Sequence, residues 1–285
     1  MTFKVADHPP RNGRGFAQLG GHLMLLVLTS FVISIATAWW LVPAMMLHGL
    51  ILVALFAPNH ECVHRTVFST PWFNDWTAAV LGWLLFIPSI DFRYFHFAHH
   101  RHTQDPERDP ELASAKPTAL TGYLFALTGI PLYRSTLAWF WALAVSSEYG
   151  AYLPANKRAA ATRQARLYIF LYAAVIVMSV WLQTWAVLFY WVGPFVLAQP
   201  FLRAYLMAEH TGCDNSRDMF ANSRTVLSNR LVRWLMWNMP FHAEHHAHPS
   251  VPFYALPLLH KASQGKHRVI EPGYRRTHQR IRAQY

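Results

Sequence analysis

Two stretches of the chain, residues 15–60 and 167–202, contain no Asp, Glu, Lys or Arg. A helix crosses the ~30 Å hydrocarbon core of a bilayer with roughly 20 apolar residues. Each stretch is therefore long enough for two crossings joined by a turn. The turns are expected near Trp39, Trp40 and Pro43 in the first stretch, and near Trp181, Gln183, Thr184 and Trp185 in the second. Tryptophan favours the membrane interface, where its ring is apolar and its N–H is wet. The pattern predicts an all-α integral membrane protein with four transmembrane helices in two hairpins. The remaining helices would form a cytoplasmic cap.

A single domain is expected over residues 1–285, with a short polar arm at 1–14 and a basic tail at 264–285 that reads as surface helix or coil. Residues 76–90 are apolar but only about 23 Å long as a helix, from the rise per residue. Residues 118–133 are interrupted by Gly122, Gly129 and Pro131. These pieces read as helices lying in the interface or dipping into it. If one were a tilted span, the chain would cross five or six times and the sidedness below would change.

Charge adds an orientation. All 25 Lys and Arg lie outside the two apolar stretches. Two hairpins would place every one of them on a single side, which the positive-inside rule makes the cytoplasm. Both termini would lie there. Only 14% of residues are charged, against about 25% in soluble domains, yet the net charge is +11. A basic face of this kind suits anionic lipid headgroups or an acidic electron carrier, or reflects topology alone. No nucleic-acid partner is expected. The N-terminal apolar run is too long for a cleavable signal peptide. The two cysteines, Cys62 and Cys213, fall on the cytoplasmic side of this scheme, where a structural disulfide is not expected.

The candidate chemistry lies in the histidines. Of 17, eight fall in three clusters: His60 and His64; His96, His99 and His100; His242, His245 and His246. On a helix, positions i, i+3 and i+4 share a face, so each cluster presents its imidazoles together. Neutral imidazole is the commonest biological metal ligand, and eight of them can enclose more than one ion. His102 and His248 come six residues after their clusters begin, on another face of a helix. His8, His22, His260, His267 and His278 read as surface polar residues. His48, inside a span, reads as a helix-packing hydrogen bonder or a group near the substrate path. The first cluster, His60-Glu61-Cys62-Val63-His64, also fits the HExxH zinc-protease pattern, but that site needs only one further ligand, not two more imidazole sets.

The three boxes resemble those of the membrane fatty acid desaturase superfamily, which includes acyl and sphingolipid desaturases and related lipid or carotenoid oxygenases. The likeness runs from about His60 to Pro257. It takes in His99-His100-Arg101-His102-Thr103-Gln104-Asp105-Pro106-Glu107-Arg108-Asp109-Pro110, and the run from Asn238 through His242-Ala243-Glu244-His245-His246 to Pro249. The resemblance implies two iron ions held by the eight box histidines. It adds a ninth ligand from the segment after the last span, best matched by His210 in Ala208-Glu209-His210. It also implies O2 as co-substrate and, from the bacterial form of the boxes, a bacterial inner membrane.

Ligating imidazoles donate their second ring N–H to a carboxylate or carbonyl. The carboxylates close in sequence are Glu61, Asp91, Asp105, Glu107, Asp109, Glu209 and Glu244. Asp105, Asp109 and Glu244 are favoured, with Glu61 beside them. Asn238, four residues before His242, is expected to face the third cluster.

The expected reaction is oxygen-dependent desaturation of the acyl chain of a fatty acid or lipid. A carotenoid ketolase or hydroxylase, or another lipid hydroxylase, is the alternative within the superfamily. Gly13-Arg14-Gly15 lacks the third glycine of a dinucleotide fingerprint, so electrons are expected from an external reductase and a ferredoxin- or cytochrome-type carrier. A membrane metal or haem carrier is the alternative of another class. Carriers usually place polar groups at mid-membrane, and here the apolar hairpins offer only His22 and His48.

Overall fold

The computed structural model describes residues 3–113 and 117–285. Residues 1 and 2 of the expected arm lie outside that range. Helix dominates: α1 (Asn12–Ile35), α2 (Ala38–Ala54), α3 (Phe56–His64), α4 (Pro71–Leu84), α5 (Ser89–His102), α6 (Leu120–Leu127), α7 (Ile130–Trp141), α8 (Ala155–Trp181), α9 (Gly193–His210), α10 (Met219–Asn222), α11 (Arg230–Leu235), α12 (His242–Ala247), α13 (Leu256–Ala262) and α14 (Tyr274–Arg282). One small departure from an all-helical fold is a parallel pairing of β1 (Thr225–Val226) with β2 (Ile270–Glu271).

Among the described residues, three helical runs are long and apolar enough to cross a membrane: Asn12–Ile35, Ala38–His64 and Ala155–Trp181. The second half of the second apolar stretch is not among them. It contains a π-helical turn at Leu188–Val192, and α9 carries Pro194, Pro200 and Arg203. The pair α4 and α5 is apolar enough together but bends by 102° between its two helices.

α2 folds back along α1 through the two residues 36 and 37. The break comes earlier than Trp39, Trp40 and Pro43: the two tryptophans open α2, and Pro43 lies inside it. Antiparallel contact is fixed by polar pairs. His22 Nε2 meets the Ile51 carbonyl at 2.8 Å, and His48 Nδ1 meets Thr29 Oγ1 at 2.7 Å. His22 is thus buried between helices rather than on the surface. Burial leaves a histidine costly unless bonded; these bonds meet that need at one nitrogen of His22 and, with the Tyr190 carbonyl, at both of His48. The second turn falls where the tryptophans place it, between Trp181 and Trp185.

α2 packs closely on α9. A Cβ at Gly49 would lie 2.2 Å from the Pro194 carbonyl oxygen, so only glycine allows that crossing. The outward faces of α1 and α8 are apolar and exposed, with Val27 68% and Trp181 75% accessible. Surfaces of that extent mark contact with lipid or another apolar partner.

α2 and α3 form nearly one helix, broken at Leu55, and Arg65 in left-handed conformation ends it. The first histidine box therefore sits at the end of the second apolar helix. The main core surrounds it, with Leu55, Val63, Phe68, Trp237 and Phe253 among the buried residues. Gly129, at φ +76°, turns the chain between α6 and α7, at the break that Gly122, Gly129 and Pro131 mark in the sequence. The basic tail is more ordered than coil: α14 buries Thr277 and Ile281.

Candidate metal centre

α3, α5, α12 and the end of α9 converge, and all nine histidines expected as ligands meet. The ring nitrogens of His60, His64, His96, His100 and His245 lie within 4.8 Å of one another, and so do those of His99, His210 and His246. His242 joins the second set, its Nε2 2.9 Å from His210 Nε2. The sets adjoin: the His100 and His246 rings stack with centroids 4.0 Å apart.

The distances suit metal ligation. His96 Nε2 and His100 Nε2 are 2.9 Å apart, and His245 Nε2 and His100 Nε2 3.2 Å. Imidazoles bound at about 2.1 Å to one ion place neighbouring nitrogens about 3.0 Å apart at right angles and about 3.4 Å apart in a tetrahedron. The tautomers decide the matter at one pair. His99 Nδ1 lies 3.0 and 3.1 Å from the two oxygens of Asp109. His210 Nδ1 lies 3.1 Å from the Asn222 carbonyl oxygen. A carbonyl and an ionised carboxylate only accept, so both Nδ1 atoms carry a proton, and in neutral rings both Nε2 atoms then carry lone pairs. Those lone pairs face each other at 3.2 Å. Two neutral rings so placed repel unless a proton or a metal ion lies between, and with the other imidazoles gathered around them the donor set fits a metal.

The groups behind the rings are partly those expected. Asp109 is buried and also accepts the Gln104 and Glu111 amides at 2.8 and 3.0 Å. Burial raises its carboxyl, but the His99 hydrogen bond and charge and these amides hold it below the usual carboxylate value. Glu61 Oε1 lies 3.6 Å from His60 Nδ1 and 3.8 Å from His245 Nδ1, within electrostatic reach but too long for hydrogen bonds. Its Oε2 accepts from Thr66 Oγ1 and the Phe253 amide.

Three expected partners lie elsewhere. Asp105 pairs with Arg108 in a turn, 2.8 Å from its Nε, and touches no box ring. Glu244 faces away from the metal set because α12 turns its side chain opposite those of His242, His245 and His246. It accepts from His260 Nδ1, His267 Nε2 at 2.7 Å and Thr225 Oγ1 at 2.6 Å. His260 and His267 are accordingly inward-facing carboxylate partners, not surface groups. Asn238 is in a turn with φ 58° before α12, so helical spacing does not apply to it, and it donates to the Phe253 carbonyl.

Of the other carboxylates, Asp91 accepts from Trp139 and Tyr152, and Glu107 is exposed. Glu209 Oε1 lies 3.4 Å from His242 Nδ1. Burial, reinforced by Glu111, pushes its carboxyl well up. Two partners were missed from sequence. Thr103 Oγ1 lies 3.1 Å from His246 Nδ1, and the Asn222 main-chain carbonyl holds His210. Thr103, four residues after His99, lay on the right helix face; a backbone carbonyl leaves no sequence signal.

Burial pushes the His242, His245 and His246 rings well below the usual imidazole value, and neighbouring imidazoles add to the effect. Neutral rings offer lone pairs at physiological pH.

The family model described as fatty acid desaturase matches residues 37–277. The chain belongs to the fatty acid desaturase family. It is an oxidoreductase of a membrane-protein family. It is 24% identical to the sn-1 oleoyl-lipid 12-desaturase of Picosynechococcus sp., over 79% of this chain and 69% of that one. It is 26% identical to the sphingolipid delta(4)-desaturase of Drosophila melanogaster, over 92% of this chain and 77% of that one. It is also 26% identical to the dihydrorhizobitoxine desaturase of Bradyrhizobium elkanii, over 85% of this chain and 71% of that one. The aligned region takes in all nine histidines, since each lies between residues 37 and 277.

Proposed function

We propose that this desaturase holds two iron ions, takes O2 as co-substrate, and removes two hydrogens from the acyl chain of a membrane lipid. His60, His64, His96, His100 and His245 would hold one ion, and His99, His210, His242 and His246 the other. The observation that carries this reading is the convergence of nine imidazoles from four helices into two adjoining sets. Iron with O2 supplies the oxidising power that an unactivated C–H bond demands, and the chain supplies binding and orientation.

The chain's own part is local. Asp109 and the Asn222 carbonyl keep the proton on Nδ1 of His99 and His210, leaving Nε2 to ligate. Glu61 sets a carboxylate behind His60 and His245, which strengthens those rings as ligands, while the Glu209 carboxyl, pushed up by burial, stands behind His242. Eight of the nine rings are buried and His64 is half-buried, which keeps bulk water from the reacting carbon. Exposed apolar helices beside the site let an acyl chain approach from the bilayer.

We further infer four crossings, with α4–α5 or the α9 segment supplying the fourth, and both termini and the metal centre in the cytoplasm of a bacterial inner membrane. Basic residues of the tail would receive an acidic ferredoxin- or cytochrome-type donor. Lipid mass spectrometry of cells carrying wild type or His99→Ala tests the reaction, together with metal analysis of the purified protein. The expected product has lost two hydrogens and disappears in the variant, with two irons per wild-type chain. A product that has gained one oxygen would make the protein a hydroxylase instead, and full activity after removal of iron would overturn the reading.

A further inference from the structure

Gln199, Arg203 and His210 lie on one face of α9, spaced four and seven residues apart. His210 ends that face at the metal centre. Gln199 is wholly buried, and neither its amide nitrogen nor its oxygen has a partner. The Tyr133 hydroxyl and Arg203 Nε are also buried and unpartnered.

These groups are neighbours. A Cβ built on Gly129 would lie 3.0 Å from Gln199 Cβ and 3.8 Å from the Tyr133 hydroxyl. The Arg203 guanidinium lies within electrostatic reach of Tyr133. Glycine at the α6–α7 corner is what lets Tyr133 and Gln199 share the space. Buried polar atoms are almost always paired, and an orphan forfeits its hydration without compensation. A protein that keeps three adjacent orphaned side chains is built to have them completed by something it binds.

We propose that Gln199, Tyr133 and Arg203 hold the carbonyl group of the acyl substrate. The inference rests on the acyl-lipid reading above. The Gln199 amide N–H, the Tyr133 O–H and the Arg203 Nε–H are donors, as a carbonyl oxygen requires. Gln199 Oε1 remains as an acceptor. An amide-linked acyl chain satisfies it with its own N–H, and an ester does not, so the site favours an amide.

The placement also acts as a ruler. Seven to eleven residues of helix separate Arg203 and Gln199 from His210, about 10–16 Å at the α-helical rise. Carbon–carbon bonds of about 1.5 Å advance an extended chain by about 1.3 Å each. The carbon brought to the metals is therefore roughly eight to thirteen bonds from the carbonyl.

The test uses the purified full-length, iron-loaded protein and three labelled probes with the same eighteen-carbon chain: an oleoyl glycerolipid, an N-oleoyl sphingoid lipid and octadecene. Wild type is expected to bind both carbonyl probes more tightly than octadecene, and the amide more tightly than the ester. Tyr133→Phe and Gln199→Leu are expected to weaken the carbonyl probes about five- to tenfold, one hydrogen bond's worth, and to leave octadecene binding and iron content unchanged. Tyr133→Phe removes a hydroxyl with no partner in the protein, so its folding is not at risk.

Equal affinity of wild type for all three probes, or variants that bind the carbonyl probes as wild type does, would overturn the proposal. If the variants lose carbonyl binding but wild type desaturates none of the probes, the carbonyl site stands and the acyl-lipid desaturase reading fails. If wild type desaturates them and affinity ignores both substitutions, the desaturase stands and the carbonyl site fails.

Discussion

Glu61 Oε2 accepts the backbone N–H of Phe253 at 3.1 Å, joining positions 192 residues apart. The other oxygen of the same carboxylate stands behind His60 in the first box and His245 in the third. One buried side chain thus ties the loop after the third box to the first box and sets charge behind two rings of the same metal set.

Glu61→Gln keeps the shape and the Phe253 bond but removes the charge. Loss of a carboxylate behind metal-binding imidazoles typically costs 10–100-fold in affinity. Iron retention against a chelator is expected to fall by that factor. Retention equal to wild type would leave Glu61 as a tether of the Phe253 loop and nothing more.

His99 and His102 separate ligands from bystanders. Both are on α5, but only His99 belongs to a ring set. His99→Ala and His210→Ala are each expected to drop bound iron below two per chain and abolish product. His102→Ala is expected to keep both irons and more than half the activity. A His102→Ala protein without iron would contradict the assignment.

Glu244 makes a stability prediction. Burial alone would raise its carboxyl, but hydrogen bonds from His260, His267 and Thr225 outweigh it and hold the group at about 2, below its ordinary 4.5. A carboxylate depressed in the folded state adds stability above about pH 4.5 and loses it as pH falls towards about 2. Glu244→Gln breaks a buried pair, which costs roughly 3 kcal/mol. The expected result is a lower Tm at neutral pH, with both irons retained in the protein that remains folded. Loss of iron at unchanged Tm would instead put Glu244 at the metal centre.

The third-box rings make the metal-free protein acid-sensitive. His242, His245 and His246 are held well below 6.5 by burial, then by neighbouring imidazoles. The unfolded chain therefore takes up protons first as pH falls below about 6.5, and stability falls with it. At about pH 5.5 the loss approaches 1.4 kcal/mol per ring, one pKa unit each. The Tm of iron-free protein is expected to drop by several degrees between about pH 8 and pH 5.5. An unchanged Tm would mean the rings are not buried without metal.

The outline of the protein was legible because its chemistry is periodic. Charge-free stretches long enough to cross a bilayer give the apolar helices, and imidazoles at i, i+3 and i+4 give the boxes. The first turn, expected near Trp39, Trp40 and Pro43, falls just before them at residues 36 and 37, and Pro43 lies inside α2.

The amino-acid order by itself marked the eight box histidines that gather, since one helix face presents each box, and the family resemblance added His210. It did not determine how they divide. His99 and His100 are adjacent, yet they join different sets, and so do His245 and His246, because successive side chains on a helix point about 100° apart. It also left the carboxylates unassigned. Asp109 reaches His99 through the turn after α5, Glu244 turns away on the far side of α12, and the Asn222 carbonyl comes from the end of α10. Those pairings depend on how separate helices dock, and docking is fixed only by the packed core.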